Sequence, residues 1–182
     1  MPTSISRRIE KSIIAFQERD YEDAFVQLFP AIGKTAKKRR PRDGVGERIK
    51  KFISDEEAII TAIATNNIFK NINVNGINLP TALYKFGRNS IVHEGELDKR
   101  LQINEQGIIQ IGQVWNLPAS YIIGLIVAVV IAPENANEKV RDDVGITLFG
   151  KHYKINDLWG QRDIIQTKIC EVFRNDNLFN NP

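Results

Sequence analysis

Cysteine and histidine are scarce in this 182-residue sequence, which contains one cysteine and two histidines. Cys170 alone cannot form an intramolecular disulfide, and nothing around it or the histidines has the spacing of a metal site. We therefore expect no disulfide framework, no metal and no other cofactor. A reducing cytoplasm is the expected location.

Long apolar runs are also missing. The most apolar stretch, 119–132 between Pro118 and Pro133, is about 14 residues long, whereas a membrane-spanning helix needs roughly 20. This stretch predicts a buried core helix and no membrane partner. Charged or polar residues recur every few positions up to Asp23, so no secretory signal is expected. The sequence also lacks a phosphate-binding glycine loop and a serine nucleophile elbow.

The hydrophobic periodicity predicts a mainly α fold with a small β addition in the C-terminal half. Residues 1–135 are expected to form a helical bundle, and residues 136–182 to pack on the same domain as a hairpin and a helix. Ser6 is a candidate cap for the first helix, Pro30 could kink the second, and Asp157 could cap the last. The helices are predicted over about 6–18, 21–40, 47–64 with a possible break near Ser54 and Asp55, 79–95, 118–132 and from 157 onward.

Two short alternating pairs predict β-hairpins. The first pairs residues 101–104 with 108–111, and the second pairs 147–149 with 152–155. The two hairpins could share one small sheet. Residues 66–78 have no helical period and are interpreted as an irregular connection.

Basic residues cluster between positions 34 and 42, although the formal net charge is only +3. Such a cluster can follow a phosphate backbone and would bind RNA. Alternatively, it is a solvated helix end, where cations interact favourably with the helix dipole. The cluster consists of Lys34, Lys37, Lys38, Arg39, Arg40 and Arg42.

The segment Arg88-Asn89-Ser90-Ile91-Val92-His93 is the candidate functional centre. On a helix, Asn89 and His93 lie nearly above each other, and Arg88 is about 140° from His93. An imidazole can transfer protons near neutral pH, and a guanidinium can hold phosphate oxygens. Tyr84 could stack on a base. Alternatively, Arg88 pairs with Glu94 or Glu96 and His93 interacts with the helix dipole.

This segment resembles the Arg-x(4 to 6)-His signature of HEPN domains, which usually place a small polar residue after the arginine. The resemblance implies an all-α bundle that cleaves RNA without a metal, through the 2′-hydroxyl, at a composite site formed by a homodimer. His93 would be the acid/base, Arg88 the phosphate ligand and Asn89 an accessory polar group. Members act as toxins paired with an antitoxin protein or in antiviral defence. The alternative is a non-catalytic HEPN-like module that binds a nucleotide or protein and dimerises.

The sequence departs from the family pattern in two respects. In the branch whose toxin is modified by a nucleotidyltransferase antitoxin, a tyrosine often follows two positions after the histidine, where this chain has Gly95. The β pairs and the last helix also lie outside the minimal family pattern. Because Gly95 stands where that tyrosine would be, we do not expect control by that modification in this chain.

Overall fold

A computed structural model describes residues 3–180. Helical residues make up 56% of the described chain, which confirms the mainly α prediction. The helices are α1 (Ser4–Gln17), α2 (Tyr21–Arg39), α3 (Val45–Thr65), α4 (Leu79–Ala82), a π-helical segment (Leu83–Asn89), α5 (Ser90–Glu94), α6 (Ser120–Val130) and α7 (Arg162–Phe173), with 3-10 turns at Pro133–Asn135 and Ile155–Asp157. The strands are β1 (Asn73–Val74), β2 (Ile77–Asn78), β3 (Leu101–Asn104), β4 (Gln110–Ile111), β5 (Trp115–Pro118), β6 (Gly145–Leu148) and β7 (Lys151–Lys154).

The first three helices differ from the prediction mainly at their caps. Thr3, not Ser6, caps α1, because its Oγ1 accepts from the backbone N–H groups of Ile5 and Ser6 at 3.1 and 3.4 Å. Pro30 remains inside α2, where it is exposed and does not end the helix. The proposed break near Ser54 is also wrong, because α3 is continuous from Val45 to Thr65.

The helix α6 forms the centre of the core, as its apolar sequence predicts. Its residues from Leu125 to Val130 are fully buried, and it packs against α1, α2 and α3. A Cβ atom on Gly124 would lie 2.6 Å from the backbone oxygen of Ile60, so only glycine permits this close approach. The Ser120 hydroxyl donates to the Ala64 carbonyl at 2.6 Å, which fixes one end of the contact.

The predicted pairing of residues 101–104 with 108–111 is wrong. The strand β5 lies between β3 and β4, parallel to β3 and antiparallel to β4. Trp115 and Leu117 of β5 are almost completely buried, so β5 takes the central position. The Asn104 side chain instead closes the local turn, donating to the carbonyl oxygen of Ile108 at 2.8 Å.

The other strand predictions had mixed outcomes. The second hairpin is confirmed, since β6 and β7 pair antiparallel, but it forms its own sheet. The segment 66–78, interpreted as irregular, contains the antiparallel pair β1 and β2. Asn75 and Gly76 both have positive φ, at 53° and 77°, as a tight hairpin turn requires.

The C-terminal helix begins later than predicted. Asp157 ends the 3-10 turn Ile155–Asp157, and α7 begins at Arg162, so Asp157 is not its cap. Ile165 and Ile169 are buried in the same core as the N-terminal helices. Within residues 3–180 no helix combines the length and apolarity needed to cross a membrane.

Candidate functional site

The helix that carries the candidate motif begins and ends where the sequence predicts. The Asn78 side chain accepts from the Thr81 N–H at 2.9 Å and caps α4, and Pro80 occupies the first turn, where it loses no hydrogen bond. Gly95 ends α5 in a left-handed conformation with φ of 82°, and its N–H donates to the carbonyl oxygen of Ile91 at 3.1 Å. The motif therefore lies on one short helical segment with defined ends.

The middle of this segment, Leu83–Asn89, is π-helical. Such wide turns are rare in proteins, and those that do occur are frequently found at functional sites. A Cβ on Gly87 would lie 2.6 Å from Cζ of Phe29, so glycine lets the wide turn pack directly on α2. This contact fixes the position of Arg88 and Asn89 relative to the core.

Arg88 and Asn89 are in direct contact. Nη1 of Arg88 donates to Oδ1 of Asn89 at 3.0 Å, and the guanidinium lies 5.8 Å from the centre of the Tyr84 ring. Tyr84 in turn packs against the start of α3, where a Cβ on Gly46 would lie 2.9 Å from its ring. Three of the predicted site residues therefore form one half-buried group.

No carboxylate within residues 3–180 forms an ion pair with Arg88, so the alternative in which Arg88 pairs with Glu94 or Glu96 is not observed. Arg100, on a neighbouring loop, provides a contrast. It lies 4.3 Å from the Phe86 ring and pairs with Asp98 at 2.6 Å. The Arg100 hydrogen bond lowers the pKa of Asp98 to about 2.

His93 lies in the last turn of α5 and is exposed. In the part of the chain that is described, it makes no hydrogen bond to Arg88 or Asn89. The preceding residue, Val92, is an exposed large apolar residue, with 58% of its surface accessible. In a single chain, therefore, Arg88, Asn89 and Tyr84 are brought together and His93 is left open to solvent.

Part of the basic cluster is engaged in structural ion pairs. Arg39 bonds to Glu134 at 2.7 Å and to Glu56 at 2.8 Å, and it lies 4.7 Å from the Phe52 ring. Burial alone would lower the pKa of Arg39, but the hydrogen bonds with the two glutamates raise it above its ordinary value. Arg39 thus joins α2 to α3 and to the turn after α6.

The remaining members of the cluster differ in how free they are. Arg40 pairs with Asp55 at 2.8 Å, and Lys38 pairs with Glu138 at 3.3 Å. Lys34 bonds to the Ser4 hydroxyl, and Lys37 and Arg42 are exposed. RNA contact by the cluster stays a prediction, and the side chains that remain available for it are Lys34, Lys37 and Arg42.

Sequence reasoning missed a buried acidic pair in the middle of α3. Glu56 is completely buried and accepts from Arg162 at 2.6 and 2.5 Å as well as from Arg39. Glu57 is 3% exposed, and its Oε2 accepts from the Asn71 N–H at 3.1 Å. The sequence did contain a signal for this pair, because two adjacent acidic residues interrupt the isoleucine-rich apolar positions of α3 and could have predicted buried carboxylates.

Burial raises the pKa of Glu57, and the hydrogen bond from Asn71 lowers it only in part. Burial, together with the nearby Glu57 charge, also raises the pKa of Tyr121 to about 12.

No group of three or more His, Cys, Asp or Glu side chains among residues 3–180 is arranged to hold a metal ion.

Fold and site together define a mainly α-helical protein with an arginine–asparagine pair on a π-helical turn. A family model described as Rv1289 matches residues 4–177, and the chain belongs to that family. Uncharacterized protein Rv1289 of Mycobacterium tuberculosis and uncharacterized protein Mb1320 of Mycobacterium bovis are each 25% identical to this chain, over 90% of this chain and 86% of their own length. No solved structure matches the chain.

Proposed function

We propose that the protein is a metal-independent endoribonuclease whose site is built from Arg88, Asn89 and His93. The observation that carries this proposal is the state of Arg88. Its guanidinium is half-buried, is oriented by Asn89 at 3.0 Å, and has no carboxylate partner in the described chain. An arginine oriented in this way and not neutralised is suited to binding a phosphate.

The proposed reaction is transesterification of RNA. The 2′-hydroxyl attacks the adjacent phosphorus, its proton passes to a neutral imidazole, and the P–O bond to the 5′-oxygen breaks. A protonated imidazole gives a proton to that leaving oxygen, so the products are a 2′,3′-cyclic phosphate and a 5′-hydroxyl. Arg88 would hold the non-bridging oxygens while negative charge develops on them.

Two imidazoles in opposite protonation states serve this reaction best, because one accepts a proton while the other donates one. Each chain supplies one such histidine, His93, so a composite site formed by two copies follows. In this proposal α1–α3, the motif helix and α6 form a HEPN-like bundle.

Lys34, Lys37 and Arg42 would bind the RNA backbone, and Tyr84 would stack on a base next to Arg88. Replacing any one of these three cations by a neutral residue should reduce the slope of log affinity against log salt by about 0.7 for single-stranded RNA. A cytoplasmic role as a toxin restrained by an antitoxin protein, or as an antiviral effector, belongs to the same proposal.

The test uses purified wild-type and His93→Ala proteins incubated with total RNA in the presence of a chelator. The wild type should cleave, and the variant should lose about 100-fold or more in rate, as expected for a proton-transfer group. His152→Ala is the matched control, because His152 is the other histidine and is exposed on β7, in a separate sheet. It should cleave at the wild-type rate.

Equal cleavage by wild type and His93→Ala would refute the catalytic assignment. If the wild type does not cleave, and His93→Ala instead changes the dimer dissociation constant, the chain is the non-catalytic dimerisation module. Sedimentation of both proteins over a range of concentrations measures that constant.

A further inference from the structure

A second candidate site lies beside the middle of α3. A cavity of about 280 Å³, partly open to solvent, is lined by the middle of α3, the segment that follows this helix, α7 and the C-terminal segment. The residues that line it are Ser54, Asp55, Glu57, Ala58, Ile59, Lys70, Asn71, Arg162, Gln166, Leu178 and Phe179. Its walls are therefore mostly polar, with an apolar side at Leu178 and Phe179.

Glu57 is the unusual group in this cavity. It is 3% exposed, and its Oε1 atom is buried without any hydrogen-bond partner in the described chain. An unpaired buried polar atom costs free energy, and more when the group carries a charge. A ligand atom that donates a hydrogen bond to Oε1 would remove this cost.

The other charged groups around the cavity are mostly neutralised. Asp55 pairs with Arg39 and Arg40, and Arg162 is bonded to both oxygens of Glu56. Lys70 forms no ion pair with any residue between 3 and 180. The cavity therefore presents one carboxylate oxygen without a hydrogen bond, Oε1 of Glu57, and the ammonium group of Lys70, whose charge acts on Glu57 without forming an ion pair with it.

We propose that this cavity binds a small zwitterion of the amino-acid class, with its ammonium group bonded to Oε1 of Glu57 and its carboxylate facing Lys70. The volume supports a small occupant, because sites that enclose drug-sized molecules run from about 300 to 1,000 Å³. Leu178 and Phe179 provide an apolar wall for the ligand's side chain. The ammonium group would also stabilise the ionised form of Glu57, which burial disfavours.

The experiment is calorimetric titration of the full chain with each standard amino acid, up to roughly millimolar concentration. At least one should bind, and Glu57→Gln should weaken that binding by roughly ten- to a hundredfold, because a charge-assisted hydrogen bond is removed. Lys70→Met should weaken it several-fold, while Lys11→Met, an exposed lysine on α1, should leave it unchanged. The matching amine without the carboxylate should be insensitive to Lys70→Met.

Absence of binding by the wild type for every amino acid would overturn the proposal, as would unchanged affinity in Glu57→Gln. If circular dichroism shows that Glu57→Gln is unfolded, Lys70→Met decides, and unchanged affinity there also overturns it. His93→Ala should bind the amino acid as the wild type does, so this proposal and the ribonuclease proposal fail or succeed separately.

Discussion

Gly87 carries a prediction about stability that follows directly from the geometry of the π-helical turn. In Gly87→Ala the new Cβ would lie 2.6 and 2.9 Å from two ring atoms of Phe29, and 3.4 Å from Leu101. Phe29 is 3% exposed and stacked on Phe25 at a centroid distance of 5.3 Å, so its ring cannot move without disturbing the core. We expect this substitution to destabilise the fold.

Gly33→Ala in α2 is the matched substitution, because its new Cβ would be 3.7 Å from Cδ1 of Ile49, an ordinary contact. Both substitutions gain the same helix propensity of roughly 0.5–1 kcal/mol. That term cancels in the comparison, and what remains is the overpacking cost of about 1–3 kcal/mol. In melting temperature the difference is about 2–12 °C for a chain of this size.

The assay is urea denaturation of wild type, Gly33→Ala and Gly87→Ala, followed by circular dichroism. Gly33→Ala should be more stable than wild type, and Gly87→Ala less stable than Gly33→Ala by the stated cost. A second test is Phe29→Leu in the Gly87→Ala background, which should recover part of the loss. Equal free energies of unfolding for the two glycine variants would refute the reasoning from close contact.

Three further predictions concern other buried contacts. Burial raises the pKa of Glu57 above its unfolded value of about 4.5, so its contribution to stability is fully present below that value and is lost as pH rises through the raised folded pKa. Urea denaturation from about pH 4 to pH 8 should therefore show wild type losing stability relative to Glu57→Gln as pH rises, and parallel curves would contradict this. Arg39→Met should lower the free energy of unfolding by about 2–3 kcal/mol, because it removes charged hydrogen bonds to buried Glu56. The control Lys37→Met should change it by less than about 0.5 kcal/mol. Similar losses for the two variants in thermal denaturation would count against a structural role for Arg39. Gly124→Ala should lower the free energy of unfolding by an amount near the upper end of about 1–3 kcal/mol, because the atom that the new Cβ would meet belongs to the backbone of Ile60. An unchanged melting temperature would exclude that close approach.

The helices could be predicted because their signals are local. Apolar residues at helical spacing place α1, α2, α3 and α6 within a few residues of their observed bounds. The role of Gly95 was also predictable, because a left-handed residue commonly ends a helix and glycine adopts that conformation without strain. These features depend on neighbours within a single turn.

The strand pairing could not be predicted with the same rule. The segments 101–104 and 108–111 are adjacent in sequence and alternate correctly, yet β5 separates them. Which strand occupies the centre depends on the burial of Trp115 and Leu117, a property of the whole fold. The Asn75-Gly76 turn, in contrast, carries a local hairpin signal that could have predicted β1 and β2.

The candidate site was predictable in part. The sequence identified Arg88, Asn89 and His93 and placed Asn89 beside His93, whereas in the structure Asn89 bonds to Arg88. The π-helical turn that carries this pair depends on Gly87 packing against Phe29, 58 positions earlier in the sequence. The ion pairs of Arg39 could not be predicted from sequence spacing either, because Glu134 lies 95 positions further along the chain. For the same reason, the partners of Glu56 and the cavity at Glu57 could be recognised only in three dimensions.

The central position of α6 has a consequence for how the chain folds during synthesis. The helices α1, α2 and α3 surround α6, which begins at Ser120, about 55 residues after α3 ends. At roughly 5–20 residues per second, the ribosome takes about 3–11 s to supply those residues. During that interval the inner faces of the first three helices lack their partner and expose apolar surface. We therefore expect cooperative folding of the nascent chain only after α6 has emerged from the ribosome.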